Sequence, residues 1–328
     1  MDRRSEIVSI FPRVGGMILA AAVIAAACSS APQTSGDGDA PSASDIRSLR
    51  WVAEGTDEVA FLTTLPAACE TQPASPGQAA QRYLGKIAFE SPALLGGTPA
   101  RMELSCASCH RNGRGNPDFF LESVSDKPGT ADVTSSVMSK VRGDGNFNPV
   151  VIPDIAMRDG KQIKDRKGPE FRAKVRGLVV EEFDGQEPPP YVFDALVAYL
   201  DSLDPSACMP GAPSERAFLT RDFSAAEAAY NAASDPSLDQ ASKLFYLRVS
   251  RFALGRIYER FVGPELAAQR RELLTFSNGI GQVAEATRTG RAATFLEPDW
   301  IGLLERLGDG AAKSLYDPNA IRAAFAGE

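Results

Sequence analysis

Cys106 and Cys109 stand three positions apart, and the residue after them, His110, is the only histidine in the 328-residue chain. On one helical turn this spacing puts both thiols on the same side, with an imidazole directly beyond them. Cys-x-x-Cys-His is the pattern of c-type haem attachment. The thiols hold the two vinyl groups of a porphyrin, and the imidazole meets the iron from the same side. Such a chain can wrap loops around a rigid apolar plate, so long irregular stretches become tolerable inside a domain. Rival uses of the pattern lack their context. A thioredoxin-like redox pair needs βαβ surroundings, and none are visible. A structural zinc site needs four ligands, and no second Cys/His group lies nearby. The sequence therefore predicts one covalently attached haem c on Cys106 and Cys109, with His110 as an iron ligand.

The second iron ligand stays open. A single histidine excludes bis-His ligation within the chain. Methionine is a common partner for histidine in cytochromes. Met157 is the first candidate metal ligand, because it sits in a Pro-containing loop at 152–157. Met138 and Met209 are alternatives, and packing is the bland role of all three. An iron without a protein ligand on that face is the remaining reading.

The N-terminus reads as an export signal at 1–27. Arg3, Arg4 and Arg13 precede an apolar run at 17–27, which is too short to span a bilayer comfortably. The run ends at Ala25-Ala26-Ala27-Cys28, similar to a bacterial lipobox, although Ala25 stands where Leu is commonest. The expectation is a lipoprotein anchored to a membrane through Cys28 and facing the periplasm; ordinary cleavage with Cys28 as a bystander is the alternative. Residues 28–50 are small, polar and rich in Gly, Pro and Ser at their start, and read as a flexible tether.

Cys69 and Cys208 remain, and in an oxidising compartment they are expected to pair. A bridge would staple the two ends of a haem domain at 51–210. The alternative is two free buried thiols.

Charge narrows the partners. The chain carries a formal net charge of −7, which speaks against nucleic acid. Residues 211–328 hold 14 basic and 15 acidic residues, so the acid excess lies in 28–210. An acidic face could steer a basic redox partner; solubility explains the same charge.

Helical periodicity brackets the motif. Residues 78–89 place Tyr83, Leu84, Ile87 and Phe89 on one side, and 191–203 do the same with Val192, Leu196, Tyr199, Leu200 and Leu203. Between them, 111–170 reads as long loops. Residues 211–328 read as a helical C-terminal domain, with helices at 224–233, 238–262, 264–276, 280–288 and 298–307. Arg248, Arg251, Arg256 and Arg260 are taken as a solvated helix face.

Leu84-Gly85-Lys86-Ile87-Ala88-Phe89, Leu104-Ser105-Cys106-Ala107-Ser108-Cys109-His110 and Phe193-Asp194-Ala195-Leu196-Val197-Ala198-Tyr199-Leu200 resemble the cytochrome c domain of the bacterial dihaem cytochrome c peroxidase and MauG-like superfamily. The resemblance covers about 76–203. It implies a mainly α fold with a class I cytochrome c-like helical haem domain, in which Gly85 lets the first helix approach the last near Tyr199. The departure from that family is decisive: its members carry two haem motifs, and this chain has one, so a haem-to-haem relay within the chain is excluded.

The expected function is electron transfer by a periplasmic monohaem cytochrome c with a redox partner protein. Two readings from other classes stand beside it. One is a peroxidase-like enzyme with an open iron site, for which Arg176, Glu181, Glu182 and Asp184 are the nearest charges. The other is a haem-stabilised subunit of a complex, in which 211–328 does the main work.

Overall fold

The computed structural model describes residues 46–157, 165–209, 215–291 and 298–326. The expected signal at 1–27, the anchor Cys28 and most of the tether lie outside the described residues. The tether does not reach residue 50. Ile46 is 2% exposed and packs with Phe61, Leu62, Leu315 and Ile321, while Arg47 pairs with Glu103 and Glu259. Apolar burial therefore begins where the polar run stops.

The chain is mainly helical. After α1 (Glu58–Thr63) comes α2 (Pro76–Phe89), which opens on a Ser75 cap accepting the Gln78 N–H at 3.2 Å, with Pro76 in its first turn. Short helices α3 (Gly97–Arg101) and α4 (Cys106–Cys109) follow. Two residue-pair strands, β1 (Thr130–Ala131) and β2 (Val150–Val151), join antiparallel inside the expected loops. Next come α5 (Pro169–Gly177), a π-helical turn at Leu178–Glu182, and α6 (Pro190–Ser202).

Helices α2 and α6 cross closely. A Cβ placed on Gly85 would lie 1.9 Å from the Ala195 carbonyl oxygen. The tightest approach is thus at Ala195, one turn before the expected Tyr199. Tyr199 instead meets Phe89 edge-on, with ring centroids 5.3 Å apart.

Beyond 209 the chain forms α7 (Glu215–Ser234), α8 (Gln240–Arg260), α9 (Ala267–Arg288), α10 (Trp300–Gly310) and α11 (Pro318–Ala326). Helix α9 runs straight through Gly279, where two helices were expected. Nothing lies within 4 Å of a Cβ at Gly279, so the cost is one of propensity, about 1 kcal/mol. Burial of Leu273, Ile280 and Val283 on the same helix offsets it. The final helix, α11, has no counterpart in the sequence reading.

The expected boundary near 210 is not a boundary in the core. One buried cluster runs from Phe89 and Tyr199 through Phe218 and Phe223 to Tyr246, Ile257 and Leu303. Helices α7 and α8 cover α2, and α8 reaches α6, so the two expected domains belong to one compact unit, Ala40–Glu328. Among the described residues, no helix is long and apolar enough to cross a membrane.

Cys69 and Cys208 are disulfide-bonded across 139 positions. The bridge ties the strand-like pairing of Ala68 with Met209 to that of Glu70 with Leu203. Replacing both cysteines with alanine is expected to lower the unfolding free energy by about 2–4 kcal/mol, through the unfolded state released from a long closed loop. A urea midpoint equal to that of the wild type would show that the bridge constrains nothing.

Candidate functional site

Helix α4 is a single turn, too short to persist without outside support. Its support comes from its flanks. The Ser105 N–H donates to the Ser108 Oγ at 3.1 Å, and the His110 N–H closes the turn on the Cys106 carbonyl at 2.9 Å. Buried Asn116 donates from its side-chain amide to the Ser108 carbonyl at 2.8 Å. Asn112 then adopts a left-handed φ of 52°, a conformation that asparagine tolerates better than most residues. Gly113 follows at φ 74°, and a Cβ there would meet the Leu203 methyls at 2.8 Å. The chain leaves α4 by a tight turn pressed against the end of α6.

This turn presents the three expected residues together. Cys106 and Cys109 are unbonded and half-buried. Cys106 packs on the main core. Cys109 packs on a second cluster with Trp51, Leu104, Phe119 and Met138. Burial pushes both thiols up to about 12, so at neutral pH both keep their protons.

His110 is positioned by its Nδ1, which lies 3.1 Å from the Pro153 carbonyl oxygen. Burial pulls the imidazole down to about 4, against the Pro153 hydrogen bond and the charge of Asp154. The ring is therefore neutral near pH 7. A carbonyl can only accept, so Nδ1 carries the proton and donates it, and Nε2 keeps its lone pair. Fixing one ring nitrogen in this way orients the other toward a metal.

The loop that supplies Pro153 is itself held in place. Arg114 Nε meets Asp154 at 2.6 Å, the Ala156 N–H donates to the Gly113 carbonyl at 3.2 Å, and buried Arg166 donates to the carbonyls of Ile155 and Leu200. The other end of Arg114 lies 3.3 Å from the Cys69 sulfur, which links the disulfide to the loop behind His110.

The candidate methionines separate clearly. Met157 is 40% exposed, and its N–H donates to the Asp154 carboxylate at 3.2 Å. That hydrogen bond anchors its backbone within the loop that supplies Pro153. Met138 is 1% exposed, in the cluster that Cys109 joins. Met209 is 69% exposed, beside the disulfide.

The charges considered for a peroxide site are engaged elsewhere. Arg142 meets Glu181 at 3.0 Å and Glu182 at 2.8 Å. Asp184 accepts the Lys140 N–H at 2.9 Å, and Arg176 pairs with Glu187. These contacts tie the 139–142 loop to the π-helical turn.

Sequence reasoning missed a second group of charges. Arg256 and Arg260 do not face solvent. Arg256 meets buried Asp222 at 3.5 Å, and Arg260 donates to the carbonyls of Leu62 and Leu315. They follow Ala253 and Ile257 on the buried side of α8, a periodicity the sequence already carries. Arg248 and Arg251 are exposed, as expected.

Among the described residues, no group of three or more His, Cys, Asp or Glu gathers closely enough to hold a bare metal ion.

The chain matches no family model, no curated protein and no solved structure.

What the site can do follows from its own geometry. Two neutral thiols one turn apart border two apolar clusters, and a neutral imidazole with a free Nε2 stands beside them. That donor set suits a group with a large apolar surface better than a bare cation, because both cysteines pack on apolar clusters.

Proposed function

We propose that the protein is a monohaem c-type cytochrome that passes single electrons to or from a partner protein. The observation that carries this reading is the 3.1 Å contact of His110 Nδ1 with the Pro153 carbonyl, which readies Nε2 as an iron ligand beside two unbonded cysteines. When bound, the haem supplies an iron that alternates between two oxidation states. The protein's residues do the rest. Cys106 and Cys109 would hold the group covalently, His110 would supply a nitrogen ligand to its iron, and the two apolar clusters would limit its contact with water.

The close crossing of α2 and α6 supports the class I cytochrome c-like architecture as part of this proposal, and the resemblance of 84–89, 104–110 and 193–200 to the dihaem peroxidase and MauG-like superfamily motivates it. Periplasmic residence with a lipid on Cys28 belongs to the same proposal. The Cys69–Cys208 bridge suits an oxidising compartment.

Absorption spectra of the purified protein, oxidised and reduced, test the reading. The expected outcome is one covalently bound haem per chain with a low-spin reduced spectrum. A protein that exports and folds without haem would overturn it. Met138→Ala and Met157→Ala then locate the second ligand, through loss of the near-infrared methionine-to-iron band. Burial favours Met138 and exposure disfavours Met157. The exposure of Met157 also supports a second reading, a peroxidase-like iron open on one face. A high-spin wild-type spectrum, unchanged by either substitution, would select it.

A further inference from the structure

A cleft of about 160 Å3 lies beside α4, bordered by Ala107, Ser108 and Arg111, while neither thiol nor His110 lines it. That is far more than the roughly 10–15 Å3 one water needs. Its walls mix apolar side chains, among them Trp51, Leu65 and Phe218, with five arginines and four carboxylates. The carboxylates are all used. Glu103 and Glu259 pair with Arg47, Glu90 pairs with Arg221, and Asp222 is shared by Arg221 and Arg256.

Two guanidiniums remain. Among the described residues, neither Arg111 nor Arg260 has a carboxylate within ion-pair distance. Each donates to backbone carbonyls, including ones near the end of α1. Arg111 reaches Phe61 and Thr64 at 2.7 and 2.9 Å, and Arg260 reaches Leu62 at 3.1 Å as well as Leu315. Each also stacks on a ring, Arg111 over Phe61 at 3.9 Å and Arg260 over Tyr316 at 4.6 Å. Among the described residues, Arg111 donates through Nη2 alone. A partly buried guanidinium with no carboxylate in direct contact favours an anion as its partner.

We propose that this cleft binds a small oxyanion, a carboxylate or phosphate, with Arg111 as its principal ligand and Arg260 as the second cation. The planar fork of arginine matches two oxygens of such an anion, and a lysine ammonium does not. The apolar walls limit how much water competes. Neither thiol nor His110 lines the cleft, although Ala107 and Ser108 between the two cysteines do.

The test is calorimetric titration of the full-length purified protein with inorganic phosphate and with acetate, at constant ionic strength and without chloride. At least one probe is expected to give a saturable one-site isotherm. Arg111→Gln is expected to weaken that affinity at least tenfold, Arg111→Lys several-fold, and Arg101→Gln, an exposed arginine outside the cleft, not at all. Heats that never saturate for either probe would overturn the proposal, as would equal affinity in wild type and Arg111→Lys. Because the wild-type isotherm and Arg111→Lys suffice, a failure of Arg111→Gln to fold leaves the outcome decidable.

Discussion

Gly85→Val is expected to prevent the protein from folding. The Cβ alone would sit 1.9 Å from the Ala195 carbonyl oxygen and 2.4 Å from its carbon. Those atoms belong to the backbone of α6, so no rotamer change relieves the contact. The helices must move apart, and Leu84, Ile87, Leu196 and Tyr199 would lose their close packing together. Overpacking of side chains costs about 1–3 kcal/mol. A backbone clash at the centre of a helix crossing belongs to the exceptional class above about 4 kcal/mol, a large share of any domain's stability. Thermal melts followed by circular dichroism read the effect. Gly77→Ala, in the same helix, serves as the control: its nearest contact is the Ser75 Oγ at 4.0 Å, and removing glycine from a helix is expected to stabilise slightly. If Gly85→Val melted like Gly77→Ala, the close crossing would not exist.

That crossing shows how far the sequence could be read. The apolar stripe of α2, with Ser75 and Pro76 at its start, is periodic and capped, so its place was legible. The same holds for α6 after Pro190. Gly85 was legible as a point of approach, but the contact falls at Ala195, because helix rotation is set by packing and no local pattern encodes it. The Gly279 break failed for a related reason: a glycine on an open helix face costs little when Ile280 and Val283 are buried beside it. At the site, the motif announced Cys106, Cys109 and His110. Pro153 did not stand out, since its part is a backbone carbonyl 43 positions away, and a carbonyl has no sequence signature. The loop setting of Met157 favours it in the sequence. The hydrogen bond that holds its neighbour Asp154 and the open surface around its side chain appear only in three dimensions. Arg256 and Arg260 were legible in principle, because their spacing on α8 continues that of Ala253 and Ile257. Their carbonyl and carboxylate partners come from α1, α7 and the residues before α11, which no local window contains.

Cys106→Ser with Cys109→Ser is expected to yield a chain with no covalently attached haem, so that the denatured protein has the mass of the polypeptide alone. The effect is all-or-none, because both thioether bonds need sulfur and no other unbonded cysteine occurs among the described residues. His110→Ala should behave differently. Both thiols remain, so haem could still be attached, but the iron ligand expected from His110 would be missing and the low-spin spectrum should collapse. The structural consequences of the two variants should also differ. Cys106 packs on the main core and Cys109 on the second cluster, so a haem held by both would touch two apolar groups. A ligand bound only by the folded state adds to stability. A covalent one that fills an apolar space adds the packing of its walls as well. The double serine variant is therefore expected to lose protection first in 111–157, the stretch wrapped around Cys109 with little regular structure of its own, while α7, α8 and α9 keep theirs. Amide hydrogen exchange distinguishes this from global unfolding. Uniform loss of protection across α8 would mean that the haem organises the whole unit. Unchanged protection in 111–157 would mean that the second cluster closes without it, and the role proposed for Cys109 would fall.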